Sequence, residues 1–404
     1  MLSPEQAPEM RTEALSASSE LRELVVCSLE AWDDVWRRNQ FFVDALLRRH
    51  QELRVLFVGP PVDPLHDAWN RRMPSLPHLR RLRHDGRLWT MRPLKPLPRA
   101  SCPFVDALIR RQLLVSARAL RITQPILWIN DVTYAPLIER TGWPSLYDVT
   151  DDWLLAPASA RERARQRRLD HLALVHADEV VVCSPALAAS RGAARRVTLI
   201  PNGVDVGHLC SPQARPSDLP ESPVAIYVGS LHDARLDVDL VCMVASALPD
   251  VTLAFVGPDA LSSSSRKRLL RLVNVRLLGP RPYSEVPGYL QHADVVVVPH
   301  LVSPFTESLD PIKAYECLAL DTPTVATPVA GFREYSREFN VVERDAFSAR
   351  VESVLTNTTS RIGNIQPASW EQRAAAFESV LERAVAQHRD ARHPPDLSPA
   401  SEVA

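Results

Sequence analysis

The fold is decided by one stretch of the sequence, residues 295–328, which runs VVVVPHLVSPFTESLDPIKAYECLALDTPTVATP. Its four valines predict a buried strand that ends at Pro299, and a polar loop follows. Pro311 closes the loop and favours a helix beginning at Ile312, because proline is well tolerated in the first helical turn. The short run Thr324–Ala326 then completes a strand–helix–strand unit, the repeating element of a parallel α/β sheet.

The same alternation of short apolar runs and helical segments extends along most of the chain. Runs of four or five residues bounded by Gly, Pro, Asn or Ser predict buried parallel strands. The remaining runs are Leu24–Cys27, Val55–Val58, Ile126–Ile129, Leu146–Val149, Val180–Cys183, Val197–Ile200, Val224–Val228, Thr252–Val256 and Val275–Leu278. A proline-rich break at 211–223 interrupts the series. We therefore predict an α/β protein with two Rossmann-like, doubly wound domains that face a cleft.

The break and the polar ends of the chain set the predicted boundaries. A long amphipathic helix is expected from Trp370, since its apolar positions repeat every three to four residues. The predicted divisions are 1–20 (disordered), 21–205 (N-terminal acceptor domain), 206–223 (linker), 224–366 (C-terminal donor domain), 367–390 (crossing helix) and 391–404 (disordered tail).

Composition excludes several classes of protein. The 404 residues carry 47 Lys+Arg against 48 Asp+Glu, a net charge of -1, which lacks the positive field of a dedicated nucleic-acid binder. The six cysteines form no CxxC pair, so we expect no metal site, and reduced thiols fit a cytoplasmic protein. No signal peptide or membrane span is expected, which leaves peripheral association at the inner face of the membrane open.

The helix that begins at Ile312 predicts a phosphate site. Its N-terminus presents free N–H groups with a partial positive charge, and Lys313 lies in the first turn. Glu316 lies one turn further on, where a carboxylate can accept two ribose hydroxyls. The alternative is a solvated Lys313–Glu316 pair. The loop Gly229–Arg235 adds glycine for close backbone approach to a phosphate and an arginine to neutralise charge.

Several segments in order resemble the GT-B glycosyltransferases of group 1, or family 4-like, type. Residues 311–328 resemble the donor-nucleotide region of that family, and residues 279–290 its "LG…Y.ELP.YL" stretch. Ile200–Asp205 matches its "IPNGVD", and Tyr227–Leu231 the start of its C-terminal half. The resemblance covers residues 200–385 and implies a GT-B fold with a final helix crossing back onto the N-terminal domain.

The resemblance also implies roles for particular residues in binding a nucleotide-sugar. The donor site would comprise Pro311, Lys313, Tyr315 and Glu316, with Lys313 also serving catalysis at the diphosphate. Gly229, Ser230 and Arg235 join this predicted donor site on their own chemistry, because the family's usual basic pair is not cleanly present in their loop. Many retaining members carry a second glutamate eight residues before Glu316, where this chain has Ser308, and Glu307 is one residue out of register. The segment looks more like the teichuronic-acid-type subgroup, in which the lysine contacts the diphosphate.

The loop after the first strand is predicted to bind the acceptor. It lacks the glycine-rich turn of a dinucleotide site and instead combines aromatic rings, acids and arginines. Aromatic faces stack on sugars, while Arg and Asn bind hydroxyls or acids. The candidates are Trp32, Asp33, Arg37 and Asn39. The alternative is a capping loop whose tryptophans pack on the core.

Three carboxylates at the end of the strand Leu146–Val149 offer a catalytic base. Asp148, Asp151 and Asp152 crowd this strand end, and a base in such a cleft must be a carboxylate that faces the donor sugar. Asp151 is the first choice because the resembling transferases keep an aspartate there, and Asp152 is the second. The alternative is a helix cap with solvated acids.

The sequence therefore predicts a glycosyltransferase of the hexosyltransferase type. It would move a sugar from a nucleoside diphosphate sugar, UDP before GDP, to a glycan or lipid-linked acceptor in cell-surface polysaccharide or glycoconjugate synthesis. The nucleotide-sugar would be a co-substrate, with no cofactor and no metal. Two alternatives stay open: a non-catalytic GT-B-like partner of a glycan assembly complex, and a nucleotide-sugar epimerase on the same fold.

Overall fold

The structure is a computed structural model of the chain. It describes residues 21–69, 73, 76–82, 86–99, 102, 104–221, 223–320, 322–357 and 365–392. The segment 1–20 and residues 393–404 of the tail, both predicted to be disordered, lie outside the described residues.

The first half of the chain builds one sheet with helices on both faces. Its strands are β1 Glu23–Cys27, β2 Arg54–Val58, β3 His78–Leu82, β4 Leu88–Arg92, β5 Ile126–Ile129, β6 Ser145–Val149, β7 Glu179–Val182 and β8 Thr198–Leu199. Its helices are α1 Arg38–Arg49, α2 Pro64–Trp69, α3 Val105–Ala119, α4 Leu137–Thr141, α5 Ala160–His176, α6 Pro185–Gly192 and α7 Val206–Cys210.

The second half builds a separate sheet. Six strands form it: β9 Val224–Val228, β11 Thr252–Val256, β13 Val275–Gly279, β14 Val295–Val298, β15 Thr324–Ala326 and β16 Asn340–Val341, while β10 Leu231–His232 and β12 Asp259–Ala260 pair in a small two-stranded sheet. Its helices are α8 Val238–Ala247, α9 Ser263–Leu270, α10 Val286–Gln291, α11 Ile312–Leu320, α12 Phe347–Thr356 and α13 Trp370–Arg392.

Strand order places the functional loops. The first sheet runs β3-β4-β2-β1-β5-β6-β7-β8, and the second runs β13-β11-β9-β14-β15-β16. All pairings within them are parallel except β3 with β4. The chain changes direction across each sheet between β1 and β5 and between β9 and β14. Ligands bind outside the carboxyl ends of strands at such switch points.

The C-terminal helix α13 returns to the first domain, as predicted. Trp370, Phe377 and Leu381 pack into the apolar core on the α1 face of the first sheet. The ring of Phe377 is fully buried, 4.7 Å from the Phe42 ring and 4.5 Å from the Trp128 ring. Buried aromatic contacts of this kind are among the most stabilising in a core, so α13 fixes the second domain to the first.

The predicted α/β architecture with two doubly wound domains is confirmed, and the differences are local. The strands β3 and β4 were not predicted, because HLRRL is mostly exposed and has no apolar run, and Thr90 and Arg92 interrupt the apolar run in LWTMR. The predicted linker 206–223 contains the helix α7. Residues 391–392, predicted as part of the disordered tail, continue α13.

Candidate active site

A cavity of about 710 Å³ lies between the two domains, at the carboxyl ends of both sheets. The loops after β1, β5 and β6 form one wall, and those after β9, β11 and β14 form the other. This volume falls in the range of small-molecule sites, which is about 300–1,000 Å³. We refer to this cavity as the cleft.

Two glycine-bearing turns bring backbone to the donor wall of the cleft. Gly229 and Ser230 follow β9 and line the cavity, and Gly257 follows the neighbouring β11. A Cβ atom on Gly257 would lie 2.0 Å from the carbonyl oxygen of Gly229. Only glycine fits there, which keeps both backbones close to the space where a phosphate would lie.

The N-terminus of α11 opens onto the same space. Pro311, Ile312 and Lys313 line the cleft, so the first turn of the helix, whose N–H groups have no partner within the helix, lies in the cleft wall. Gly331 supports this end: it has φ +82°, and a Cβ there would lie 2.4 Å from Cδ of Pro311. The helix start is held in place by a contact that a larger residue would disrupt.

Lys313 and Glu316 form an ion pair along α11, and both side chains line the cleft. A solvated Lys313–Glu316 pair was the alternative to the predicted phosphate site. The pair does form, but it lies in the wall of the cleft and not on a solvated surface. Both side chains are mostly buried, at 16% and 8% exposure. A cation and a carboxylate are thus held together at the helix start.

Tyr315 does not line the cleft, contrary to its predicted place in the donor site. Its hydroxyl donates a hydrogen bond of 2.6 Å to Asp310 Oδ1. The backbone N–H of Asn202, in the first domain, donates to the other carboxylate oxygen of Asp310. Tyr315 faces the other way because α11 turns it toward the core, and it positions the contact that joins the domains.

Asp151 and Arg235, predicted as base and phosphate ligand, bind each other across the cleft. Arg235 Nη2 donates to Asp151 Oδ1 at 2.9 Å, and both residues line the cavity. Arg235 also lies 5.5 Å from the ring of Phe305. The pair joins the two walls of the cleft and partly neutralises both charges.

The other two carboxylates of this strand end are structural. Asp148 is fully buried and paired with Arg38 at 3.3 Å, and burial raises its pKa. Asp152, the second choice for a base, is held by the two Nη atoms of Arg191 at 3.1 and 3.2 Å. Paired buried carboxylates of this kind are poorly placed to accept a substrate proton.

The predicted acceptor loop divides into two groups. Arg37 and Asn39 line the cleft, whereas Trp32 and Asp33 do not. Trp32 packs edge-on against the ring of Phe57 at 5.1 Å, which is the core-packing alternative. Asp33 accepts from Arg37 Nη1 at 3.2 Å and so positions that arginine. Local sequence does not show which side of the loop faces the core.

The amide oxygen of Asn39 is an orphaned acceptor in this wall. Asn39 Nδ2 donates to Ser28 Oγ and Asn130 Oδ1, but Oδ1 accepts from none of the described residues. Trp153 Nε1 and Gln166 Oε1, also in the lining, have no partner among those residues either. Buried polar atoms are normally paired, so a hydroxyl-rich ligand would satisfy them.

Glu30 lines the cleft and escaped the sequence prediction. It follows β1 and pairs with Arg37 at 2.9 Å. Burial within the cleft walls raises its pKa from 4.5 to about 7, the charge of Arg37 opposes the rise, and that of Asp151 adds to it. Its side chain nevertheless keeps 45% of its surface exposed. Its position at a strand end was the available signal.

His300, two residues after β14, is a second missed residue of the donor wall. Its Nε2 lies 3.1 Å from the hydroxyl of Tyr227, and both residues line the cleft. Burial, reinforced by the charge of Arg235, lowers the pKa of His300 from 6.5 to about 3. The imidazole is therefore neutral at physiological pH and can bind a ligand without adding charge.

The position of the missing family glutamate is an interdomain contact. Ser308 is buried, its carbonyl oxygen accepts from Ser184 Oγ at 2.7 Å, and its own Oγ accepts from the N–H of Asp152. Glu307 instead pairs with Arg333 at 2.6 Å, outside the cleft lining. Glu307 therefore does not replace the absent carboxylate.

The described residues contain no group of three or more His, Cys, Asp or Glu side chains arranged to hold a metal ion. Among their helices, none has both the length and the apolarity that crossing a bilayer requires.

Two facing doubly wound domains, a cleft between them and a returning C-terminal helix define the GT-B fold. Residues 222–357 match the family described as glycosyl transferases group 1. The predicted resemblance to GT-B glycosyltransferases of group 1 is therefore confirmed.

Known proteins similar to this chain agree with that assignment. One relative, "Putative teichuronic acid biosynthesis glycosyltransferase TuaH" of Bacillus subtilis, is 28% identical over 256 residues, which are 57% of this chain and 63% of that protein. The match thus spans less than two thirds of the relative.

Solved structures share the fold at low identity. Sucrose-phosphate synthase from Thermosynechococcus elongatus has 18% identity and a TM-score of 0.63 over 92% of this chain and 98% of its own. Anabaena HepE in complex with UDP-glucose has 16% identity and a TM-score of 0.57 over 91% of this chain and 97% of its own.

Proposed function

We propose that this protein is a glycosyltransferase that moves a sugar from a UDP-sugar to a glycan or lipid-linked acceptor. The reaction would serve cell-surface polysaccharide or glycoconjugate synthesis at the cytoplasmic side of the membrane. The nucleotide-sugar is a co-substrate, and the chemistry needs no further cofactor. The name of the TuaH relative and the UDP-glucose in the HepE complex support this assignment.

One observation carries the proposal. One wall of the cleft is formed by the N-terminus of α11, Lys313 and the contact between Gly229 and Gly257, and the carboxylates of the first domain lie in the opposite wall. Helix N–H groups, a cation and close backbone are the features that bind a diphosphate. Glu316, fixed by Lys313, offers two acceptor oxygens to the ribose hydroxyls.

In the proposed transfer the bond from the anomeric carbon to the diphosphate oxygen breaks, and a bond to the acceptor oxygen forms. Lys313, Arg235 and the helix N–H groups stabilise the charge on the departing diphosphate. Asp151 takes the proton of the acceptor hydroxyl in an inverting transfer. Because Asp151 is paired with Arg235, donor binding would draw the arginine away and release the base. Glu30 is the alternative base.

The acceptor would lie against the loops after β1 and β6. The orphaned atoms Asn39 Oδ1, Trp153 Nε1 and Gln166 Oε1 supply unpaired polar groups for sugar hydroxyls, and the ring of Trp36 supplies a lining aromatic face. Arg37 adds a cation that a charged acceptor can pair with.

The experiment is release of nucleoside diphosphate from a panel of UDP-, GDP-, ADP- and dTDP-sugars, with and without a lipid extract. Transfer that depends on one nucleotide, is lost in Asp151→Asn and survives in the matched variant Asp250→Asn supports the proposal. Binding without transfer would favour the non-catalytic partner, and a product sugar that differs from the substrate only in configuration would favour the epimerase.

A further inference from the structure

A second cavity, of about 550 Å³, lies on the outer side of the first domain. It runs between the edge strand β3 and helix α3, and Leu79, Leu94, Leu108, Val115 and Arg111 are among its lining residues. We refer to it as the β3–α3 groove. The proposed transfer reaction does not use it.

The surface around the groove is apolar and exposed. Phe104, which directly precedes α3, and Leu108 and Val115 on α3 follow a helical spacing, and they are 72%, 42% and 54% exposed. Leu76 and Leu97, near the opposite side, are 75% and 45% exposed. Large apolar side chains grouped in this way mark an interaction site rather than an ordinary surface.

The same segments are strongly basic. The described residues 76–82, 86–99 and 104–119 contain nine Lys and Arg and one acid, Asp106. That acid is held in ion pairs with Arg99 and Arg165, and Lys95 is paired with Asp63, which lies outside these segments. The other seven cations form no ion pair with the described residues, so the segments keep a positive charge. The pKa of His78, which lines the groove, reflects this positive charge. Burial is the largest cause that lowers this pKa, and the charges of Arg80 and Arg92 lower it further.

Exposed apolar side chains set among cations match one partner chemistry, the surface of an anionic bilayer. Cations are attracted to anionic headgroups, while apolar side chains insert among the acyl chains. We propose that the β3–α3 groove and its rim dock this protein on an anionic membrane, with the groove accommodating acyl chains.

The position of the groove relative to the cleft supports this choice. Arg92, Leu94 and Pro96 line the groove, and Arg99, three residues further along the chain, lines the cleft. Three residues span at most about 10 Å. A protein docked by the groove would hold one mouth of the cleft close to the membrane, where a lipid-linked acceptor resides. Docking itself does not depend on the transfer reaction.

The basic run Ser263–Arg268 on α9 is a weaker candidate for the same contact. Arg268 pairs with Asp239, and Arg266 pairs with Asp259 at 3.1 Å. Acids therefore neutralise much of its charge. Because α9 also carries the exposed Lys267 and Leu270, it provides matched control substitutions of the same chemical types.

The test is co-sedimentation of the full chain with vesicles of phosphatidylcholine, with and without phosphatidylglycerol, at low and high salt. We expect binding only to anionic vesicles, and weaker binding at high salt because salt screens the attraction. Arg111→Gln should lower the partition coefficient about fivefold, and Val115→Asp with Phe104→Ser should abolish binding.

The controls Lys267→Gln and Leu270→Asp should leave vesicle binding unchanged. All of the substituted side chains are exposed, so we expect every variant to fold. Circular dichroism and turnover of the donor sugar check this. Equal binding to neutral vesicles, or loss of binding in the α9 variants instead of the groove variants, would overturn the proposal. So would a change from dimer to monomer in Val115→Asp without any change in vesicle binding, which would identify a second copy of this chain as the occupant.

Discussion

The carboxyl group of Glu30 gives a quantitative test of the electrostatics of the cleft. Its pKa is raised from 4.5 to about 7 because the cleft walls remove much of its hydration. Between these two pH values the unfolded chain carries an ionised Glu30 while the folded protein keeps it protonated. The folded protein therefore binds more protons, and its stability falls as pH rises through this window.

Substitution of Glu30 by Gln removes this loss. A shift from 4.5 to about 7 corresponds to about 3.4 kcal/mol at 1.36 kcal/mol per unit. The side chain is 45% exposed, and screening by solvent reduces the expected effect to about 1–2 kcal/mol. The free energy of unfolding of Glu30→Gln, relative to wild type, should increase by that amount between pH 4.5 and about pH 8.

The assay is urea unfolding of both proteins at a series of pH values across this window. The pH at which half of this stability difference has developed should follow the pKa of Glu30. Asp151→Asn should move that pH lower, because the charge of Asp151 raises the pKa of Glu30, and Arg37→Gln should move it higher, because the charge of Arg37 lowers that pKa. Glu52→Gln, at an exposed position outside the cleft lining, controls for loss of a carboxylate. A stability difference between Glu30→Gln and wild type that does not change with pH would refute the reasoning.

Three further predictions concern the donor wall and the returning helix. Asp151→Asn should tighten nucleoside diphosphate binding about fivefold by freeing Arg235, and calorimetry giving equal affinities would contradict this. Gly257→Ala should weaken the same binding roughly tenfold or more, because its Cβ would collide with a carbonyl oxygen, whereas Gly192→Ala, whose Cβ meets only an ordinary contact at 3.7 Å, should not. Phe377→Ala should destabilise the protein by about 3–5 kcal/mol; a loss below about 1 kcal/mol in urea unfolding would mean that α13 is not fixed by its core contacts.

The fold could be predicted well because two of its signals are local: the spacing of apolar residues and the residues at which strands end. The stretch 295–328 indicated a strand, a helix start and a second strand, and β14, α11 and β15 lie there. The edge strand β3 was missed because its HLRRL sequence is mostly exposed, and an exposed strand has no apolar run to detect.

Side-chain direction limited the prediction of the site. Lys313 and Tyr315 are two residues apart on α11, so one faces the cleft and the other faces the core. Their spacing predicts that the two side chains point in different directions. Which of them lies at the cleft depends on how the two domains pack. The same holds for Trp32 and Trp36, of which only Trp36 lines the cleft.

Contacts between the domains lay beyond local reasoning. The ion pair of Asp151 with Arg235 joins residues 84 positions apart, and each was predicted as a separate ligand. Ser308 was identified only as a departure from the family pattern, and its hydrogen bonds to the first domain give the position a structural role.

The most direct test of a nucleotide site at the start of α11 is thermal stabilisation by UDP, GDP, ADP and dTDP. A ligand at about 100 times its Kd adds about 2.7 kcal/mol of stability. We predict stabilisation of wild type by UDP, its loss in Lys313→Ala, and its retention in Lys267→Ala on α9, each variant being compared with its own ligand-free Tm. No stabilisation of wild type by any of the four nucleotides, or full stabilisation of Lys313→Ala, would contradict the account.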